Sequence, residues 1–191
     1  MRALSLWLAT LLSGAAVAQP TVVASTSRTD AAGNRTMIQT VEIETSTREI
    51  YHALTTAEGW RRWAVPAARE ISRNPHIIET SYDPKAPPGD AATIRQQFVR
   101  KVPNRLVVYR TIKAPSGFEE FETYRHVVNR VELTPLDGRR TKVRVSAGPY
   151  PDTPAGRKLF GFFEQGNRKT LENMAEVLGR GSESQFAIKR P

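Results

Sequence analysis

The chain offers few side chains suited to acid–base or metal chemistry, and their spacing narrows the choice further. Three histidines are present, His52, His76 and His126, and cysteine is absent. No two histidines stand at i, i+4 spacing, so neither a helical histidine pair nor a thiolate set is available to zinc, and no metal site is expected. His126, between Tyr124 and Val128, reads as a hydrogen-bonded wall residue, with general base as its other use. Glu119, Glu120 and Glu122 cluster beside Phe118 and Phe121. Buried there, a carboxyl would have a raised pKa and could trade protons. The preceding Pro115, Ser116 and Gly117 favour an exposed loop rim instead. Tyr82, beside the rigid Pro84–Asp90 loop, reads as either a gate or a plug. No nucleophile elbow, phosphate loop or dinucleotide fingerprint occurs. No catalytic set and no cofactor is therefore assigned.

The more informative set is aromatic: Trp63, Phe98, Tyr109, Phe121, Tyr124, Phe160 and Phe163. Aromatic residues dominate ordinary cores, so a binding cavity has to be distinguished by polar residues of inward parity. Gln96 between Ile94 and Phe98, Arg110 between Val108 and Ile112, and Asn167 meet that condition. A buried arginine needs a partner. Arg110 is expected to pair with a carboxylate, to reach solvent, or to hold an acidic group of a ligand.

These residues have to be positioned by a sheet and one long helix. From about Pro154 to Leu178, Leu159, Phe160, Phe163, Thr170, Leu171, Met174, Val177 and Leu178 recur at helical spacing and make one broad apolar face. Pro154 suits a first turn, and Gly179 and Gly181 are expected to end the helix. Upstream, Met37, Val41 and Ile43 alternate with polar residues as in a half-buried strand. Ser46 or Thr47 then caps a helix carrying Ile50, Ala53 and Leu54. A second short helix runs through Trp60 and Trp63 and closes at Pro66. Strands are predicted at 68–72, 76–81, 93–102, 106–112 and 123–133, with a last one through Thr141, Val143 and Val145. Together they predict an α+β fold: a curved antiparallel sheet of about seven strands around one long C-terminal helix, with two short helices after the first strand.

The chain has 191 residues, 39% hydrophobic and 25% charged, enough for one domain with a core of its own. Arg2, the apolar run Leu4 to Leu12 and the small residues Ala16, Val17 and Ala18 form the pattern of a secretory signal peptide over 1–18, cut before Gln19. Residues 19–35 read as a flexible leader, 36–179 as the folded domain and 180–191 as a tail. No segment reaches the ~20 apolar residues of a transmembrane helix. Without cysteine, no disulfide supports the fold. The net charge is +9, falling to +8 if Arg2 leaves with the signal. Export and the scatter of the basic residues favour a solvated surface over a nucleic-acid site.

The run VEIETSTREIYHALTTAEGWRRW, from Val41 to Trp63, resembles the opening of START-like helix-grip domains, the SRPBCC superfamily. There an alternating strand runs into a helix with an aromatic at the position of Tyr51, then a Leu-Thr pair, then a helix ending in Trp. Val102, Pro103, Asn104, Arg105 and Leu106 are similar to that family's P-x-x-L hairpin. Val131, Glu132 and Leu133 with Gly138 and Thr141 are similar to its penultimate hairpin. The likeness covers about Thr36 to Leu178 and is strongest to the branch named after the activator of a heat-shock ATPase. The family's Gly-Gly pair after the second strand is missing, with Glu79 to Pro84 in its place. The resemblance implies a cavity between sheet and helix that holds a small hydrophobic or amphipathic molecule. The cavity residues it implies here are Trp63, Tyr82, Gln96, Phe98, Tyr109, Arg110, Tyr124, His126, Phe160, Phe163 and Asn167. The expectation is an exported periplasmic or secreted binding module, with no protein partner specified. A cyclase- or hydratase-type enzyme using His126, Tyr82 or Glu122, or a protein-interaction domain with a filled core, stand as alternatives.

Overall fold

A computed structural model of the chain describes residues 22–187, with side chains through Arg180. The expected signal peptide and its cleavage point before Gln19 lie outside the described residues. In chain order the elements are β1 (Ala24–Thr29), β2 (Arg35–Ile43), α1 (Thr47–Thr55), α2 (Ala57–Trp63), β3 (Ala67–Arg73), β4 (His76–Ser81), β5 (Ile94–Val102), β6 (Leu106–Lys113), α3 (Phe121–Tyr124), β7 (Val128–Pro135), β8 (Thr141–Tyr150) and α4 (Pro154–Ala187). The strands form one sheet in the order β1-β2-β8-β7-β6-β5-β4-β3, antiparallel at every step. The sheet curves around α4, which is the helix-grip fold.

The alternation on β2 is as read: Met37, Gln39, Val41 and Ile43 are buried, and the residues between them face out. Ser46 caps α1 by accepting from the Glu49 N–H at 3.3 Å, with Glu49 in the first turn where the helix dipole favours an acid. The Thr56 hydroxyl then accepts from the Gly59 N–H at 3.0 Å and starts α2 without a linker. Two buried indoles fix the angle between these helices. Trp60 Nε1 donates to Leu54 O at 2.8 Å, and Trp63 Nε1 donates to Ala53 O at 3.0 Å. The pair closes one end of the sheet, with α1 against β6 and β7 and α2 against α4.

α4 begins where its residues predict. The Thr153 hydroxyl accepts from the Gly156 N–H at 3.1 Å, and Pro154 fills the first turn. Leu159, Phe160, Leu171, Met174 and Leu178 are buried against β2, β8 and α2. Each such side chain contributes about 1.5–3 kcal/mol through the apolar surface it removes from water.

Four expectations are corrected. The sheet has eight strands rather than seven. Residues 19–35 are not simply a leader, because Ala24–Thr29 pair residue for residue with Thr40 back to Arg35. Gly179 and Gly181 do not end α4, which runs on through most of the predicted tail to Ala187. The predicted strand over 123–133 begins only at Val128, since Phe121–Tyr124 form the helical turn α3.

Candidate functional site

Between the sheet and α4 lies a cleft whose walls come from three directions. Tyr109, Asn129, Val131, Val143 and Val145 supply the sheet side, Asn167, Thr170, Leu171 and Met174 the α4 side, and Leu54 and Trp63 the closed end. The space measures about 410 Å³ including its open mouth, with an inner part of about 50 Å³. That inner part accommodates a few atoms; pockets for drug-sized molecules usually run to ~300–1,000 Å³. A larger guest therefore requires α4 or its side chains to move.

The inner face of the sheet carries a polar thread beside this cleft. Gln96 and Thr111 are Cα partners across β5 and β6, and the Thr111 hydroxyl donates to Gln96 Oε1 at 2.9 Å. Burial holds the Tyr124 phenol above its ordinary pKa, while hydrogen bonds to Thr111 and Asn129 pull the other way. Tyr109 is raised too, first by burial and then by Tyr124. Both phenols are therefore protonated at neutral pH, and a phenol in that state serves as a donor rather than a base. On the α4 side, Asn167 Nδ2 lies 3.9 Å from Met37 Sδ. Gln39, fully buried on β2, donates from Nε2 to Glu164 O of α4 at 2.9 Å. Its Oε1 has no hydrogen-bond partner among the described residues.

Six of the seven aromatic residues divide into two groups, and Phe121 stands in the α3 turn outside both. Trp63, Phe98 and Tyr109 belong to the core at the α1–α2 end, where Phe98 and Tyr109 lie 5.9 Å apart. Tyr124, Phe160 and Phe163 belong to a second cluster with Met37, Val127, Tyr150 and Leu159 near the start of α4. Phe160 is covered by the Arg35 guanidinium, 3.6 Å from the ring centroid. Of the predicted cavity residues, only Trp63, Tyr109 and Asn167 line the cleft itself. Gln96, Phe98, Tyr124, Phe160 and Phe163 do not line it.

Three predicted residues are exposed. Tyr82 is 73% exposed and therefore does not plug the interior. His126 is exposed, because the chain at that point is the exit from α3 and not yet a strand. Arg110 is exposed and donates from Nε to Gln97 Oε1 at 2.9 Å on the outer face. The inward side chains of β6 are Val107, Tyr109 and Thr111, opposite to the parity read from Val108 and Ile112. The idea that Arg110 holds an acidic ligand group falls with that parity. Glu122 is likewise outside, 3.2 Å from Arg125.

Asn129 and Gln39 were missed, although both share the parity of apolar residues already assigned inward. Asn129 lies between Val127 and Val131, and Gln39 between Met37 and Val41. Among the described residues, no group of three His, Asp or Glu side chains could hold a metal ion. No helix there is long and apolar enough to cross a membrane.

An antiparallel sheet gripping a long helix, with an apolar cleft between them, defines a START-like domain. The model of the Activator of Hsp90 ATPase homolog 1-like protein family matches residues 44–179, and the chain belongs to that family. Its fold commonly binds hydrophobic ligands. The Aha1 dimer from Colwellia psychrerythraea is similar at a TM-score of 0.57 and 16% identity, over 75% of this chain and 96% of that one. The di-domain ARO/CYC BexL from the BE-7585A biosynthetic pathway is similar at 0.59 and 12%, over 75% and 46%. Norcoclaurine synthase from Thalictrum flavum, in complex with dopamine and hydroxybenzaldehyde, is similar at 0.55 and 12%, over 93% and 97%. At these identities the likeness speaks for the fold alone. No curated protein matches the sequence.

Proposed function

We propose that this protein is an exported binding module that holds one small hydrophobic or amphipathic molecule between its sheet and α4. The observation that carries the reading is the cleft, apolar over most of its wall and furnished with two carboxamides, Asn129 and Asn167. Apolar walls provide affinity and a few fixed polar groups provide orientation. The family's fold lends weight to a hydrophobic guest. Export to the periplasm or outside the cell rests on the signal-peptide pattern of residues 1–18.

A cyclase- or hydratase-type enzyme in the same cleft is the second reading. Its acid would be Tyr109, the one phenol lining the cleft, kept protonated by burial. The groups first considered for that role, His126, Tyr82 and Glu122, are on the outside. The third reading, a protein-interaction domain with a filled core, draws on the small inner volume of about 50 Å³.

Mass spectrometry of the protein purified without detergent from its own cell envelope, native against denatured, separates these readings. The binding module predicts a discrete extra mass that is lost on denaturation, on a chain beginning at Gln19. A bare mass, with no uptake of added apolar molecules, contradicts it.

A further inference from the structure

The polar side chains in the cleft wall are Trp63, Tyr109, Asn129, Asn167 and Thr170. All but one already have a partner. Trp63 Nε1 donates to Ala53 O at 3.0 Å, and the Thr170 hydroxyl donates to Gly166 O at 2.8 Å. Asn129 shares a hydrogen bond with the Tyr124 phenol, and Asn167 Nδ2 lies 3.9 Å from Met37 Sδ.

Tyr109 is the exception. It stands on β6 opposite Asn129 of β7, and its ring is flanked by Trp60, edge-on at 6.1 Å, and by Phe98 at 5.9 Å. Its hydroxyl makes no hydrogen bond among the described residues. Nor is that oxygen sealed in protein: the sealed side-chain atoms without a partner there are Gln39 Oε1 and His76 Nε2. With its ring against the core and its oxygen still accessible, Tyr109 presents the hydroxyl to the cleft that it lines. Burial keeps the phenol protonated, so what it brings is an O–H donor. A donor in an apolar wall is stabilised by a matching acceptor.

The rest of the wall narrows the kind of acceptor. None of the eleven lining residues is charged, so a carboxylate or ammonium taken in would lose its hydration and gain no counter-ion. A carbonyl oxygen is a neutral acceptor and carries no proton that needs a partner of its own.

We infer that the cleft selects uncharged molecules with a carbonyl group on an apolar body, a ketone, aldehyde or ester, and that the Tyr109 hydroxyl donates to that carbonyl oxygen. The inference rests on the binding reading above and names the chemistry of its guest. Tyr109 is then a specificity residue, and no covalent step is implied.

The test uses four compact probes with the isotope-labelled mature protein at pH 7, titrated while the Trp63 indole signal is followed by NMR. Acetophenone carries the carbonyl, and in α-methylstyrene a CH2 group takes the place of that oxygen. Benzoate and benzylammonium carry the two charges. Tyr109→Phe should weaken acetophenone about fivefold, the size of one net hydrogen bond, and leave α-methylstyrene within about twofold. The carbonyl stretch of bound, carbon-13-labelled acetophenone should lie at lower frequency in the wild type than in Tyr109→Phe. Benzoate and benzylammonium should each bind at least tenfold more weakly than acetophenone. Equal effects of Tyr109→Phe on the ketone and the alkene, or a carbonyl stretch that the variant does not move, overturn the inference and leave the binding reading intact. A charged probe that binds as tightly as acetophenone overturns it too. Saturable binding of none of the four overturns both. Should Tyr109→Phe fail to fold, the wild-type carbonyl stretch decides alone: a frequency below that of acetophenone in an alkane supports the inference, and an equal frequency overturns it.

Discussion

Tyr124 and Phe163 stack face to face, with ring centroids 4.2 Å apart and planes 8° from parallel. Phe118 meets both rings edge-on, at 5.8 Å from Tyr124 and 6.4 Å from Phe163. This trio ties the α3 turn to α4 at the opposite end of the helix from α2. At the α2 end, Asn173 Nδ2 donates to Trp63 O. The helix is thus held at Phe163 and again at Asn173, and its cleft-lining residues Asn167, Thr170, Leu171 and Met174 fall between these points and just past the second.

Phe163→Ala removes one half of the stack and is expected to cost about 2 kcal/mol, below the ~3–5 kcal/mol of a fully buried phenylalanine because Phe163 is half-buried. Urea unfolding measures it. Phe163→Tyr, which keeps the stack, should cost much less. Equal losses for the two variants would mean that the stacking contributes nothing.

The elements most legible in the sequence are those whose side chains alternate cleanly. β2 shows Met37, Val41 and Ile43 on one face, and α1 and α2 announce themselves through Ser46, Glu49, Thr56 and the two tryptophans. β1 was hidden for a physical reason. Five of its six residues are exposed, so backbone pairing with β2 holds it and no hydrophobic pattern marks it. The parity of β6 was ambiguous because Leu106, Val107, Val108 and Tyr109 run together without alternation, and Arg110 was placed inside as a result. Gln39 and Asn129 were recoverable from parity alone, since each interrupts an inward apolar row. The end of α4 was not, because a glycine in a long packed helix costs only about 1 kcal/mol and tertiary contacts override it.

Gly59→Ala is expected to be poorly tolerated. A Cβ at that position would sit 2.5 Å from Ala53 Cα and from Ala53 O, and backbone cannot move aside as a side-chain tip can. The predicted loss is about 1–3 kcal/mol by overpacking. The fluorescence of Trp60 and Trp63 should change with it, because their indoles bridge the two helices. Wild-type stability and unchanged emission would mean that the α1–α2 angle is loose.

Glu79 gives a pH-dependent prediction. Its side chain is fully buried, accepts from Gly89 N–H at 2.9 Å and Arg95 Nε at 2.8 Å, and lies 3.7 Å from Arg69 Nε. Burial alone would raise its pKa, but these partners outweigh it and hold the carboxyl below its ordinary 4.5. The contribution of a depressed carboxyl is complete above its unfolded value and is lost as pH falls through the folded one. Glu79→Gln should therefore cost about 2 kcal/mol at pH 7, and the gap to wild type should close below about pH 4.5. A gap independent of pH would remove the charge from the explanation.

His76 acts in a different window. It is stacked on Phe98 at 4.5 Å, with Lys101 Nζ 2.9 Å from Nδ1 and Glu70, itself paired with Arg73, 3.3 Å from Nε2. That Nε2 contact is close but not aligned for a hydrogen bond. Burial, then Lys101, lowers its pKa below 6.5 against the opposing pull of Glu70. As pH falls through 6.5 the unfolded chain takes up the proton first, so stability decreases downward from that point. Between pH 7 and pH 5.5 wild type should lose more stability than His76→Gln, as read from urea midpoints at each pH. Parallel losses would mean that His76 has no shifted titration.

The central claim is where a small apolar molecule binds. It is tested most directly by titrating the isotope-labelled mature protein with 1-octanol and following its two-dimensional amide and indole NMR spectrum. The account predicts saturable shifts at the Trp63 indole, the side-chain amides of Asn129 and Asn167, and the backbone around Leu171. Shifts confined to the outer face, around Arg110 and Val128, or no saturable shifts at all, would contradict it.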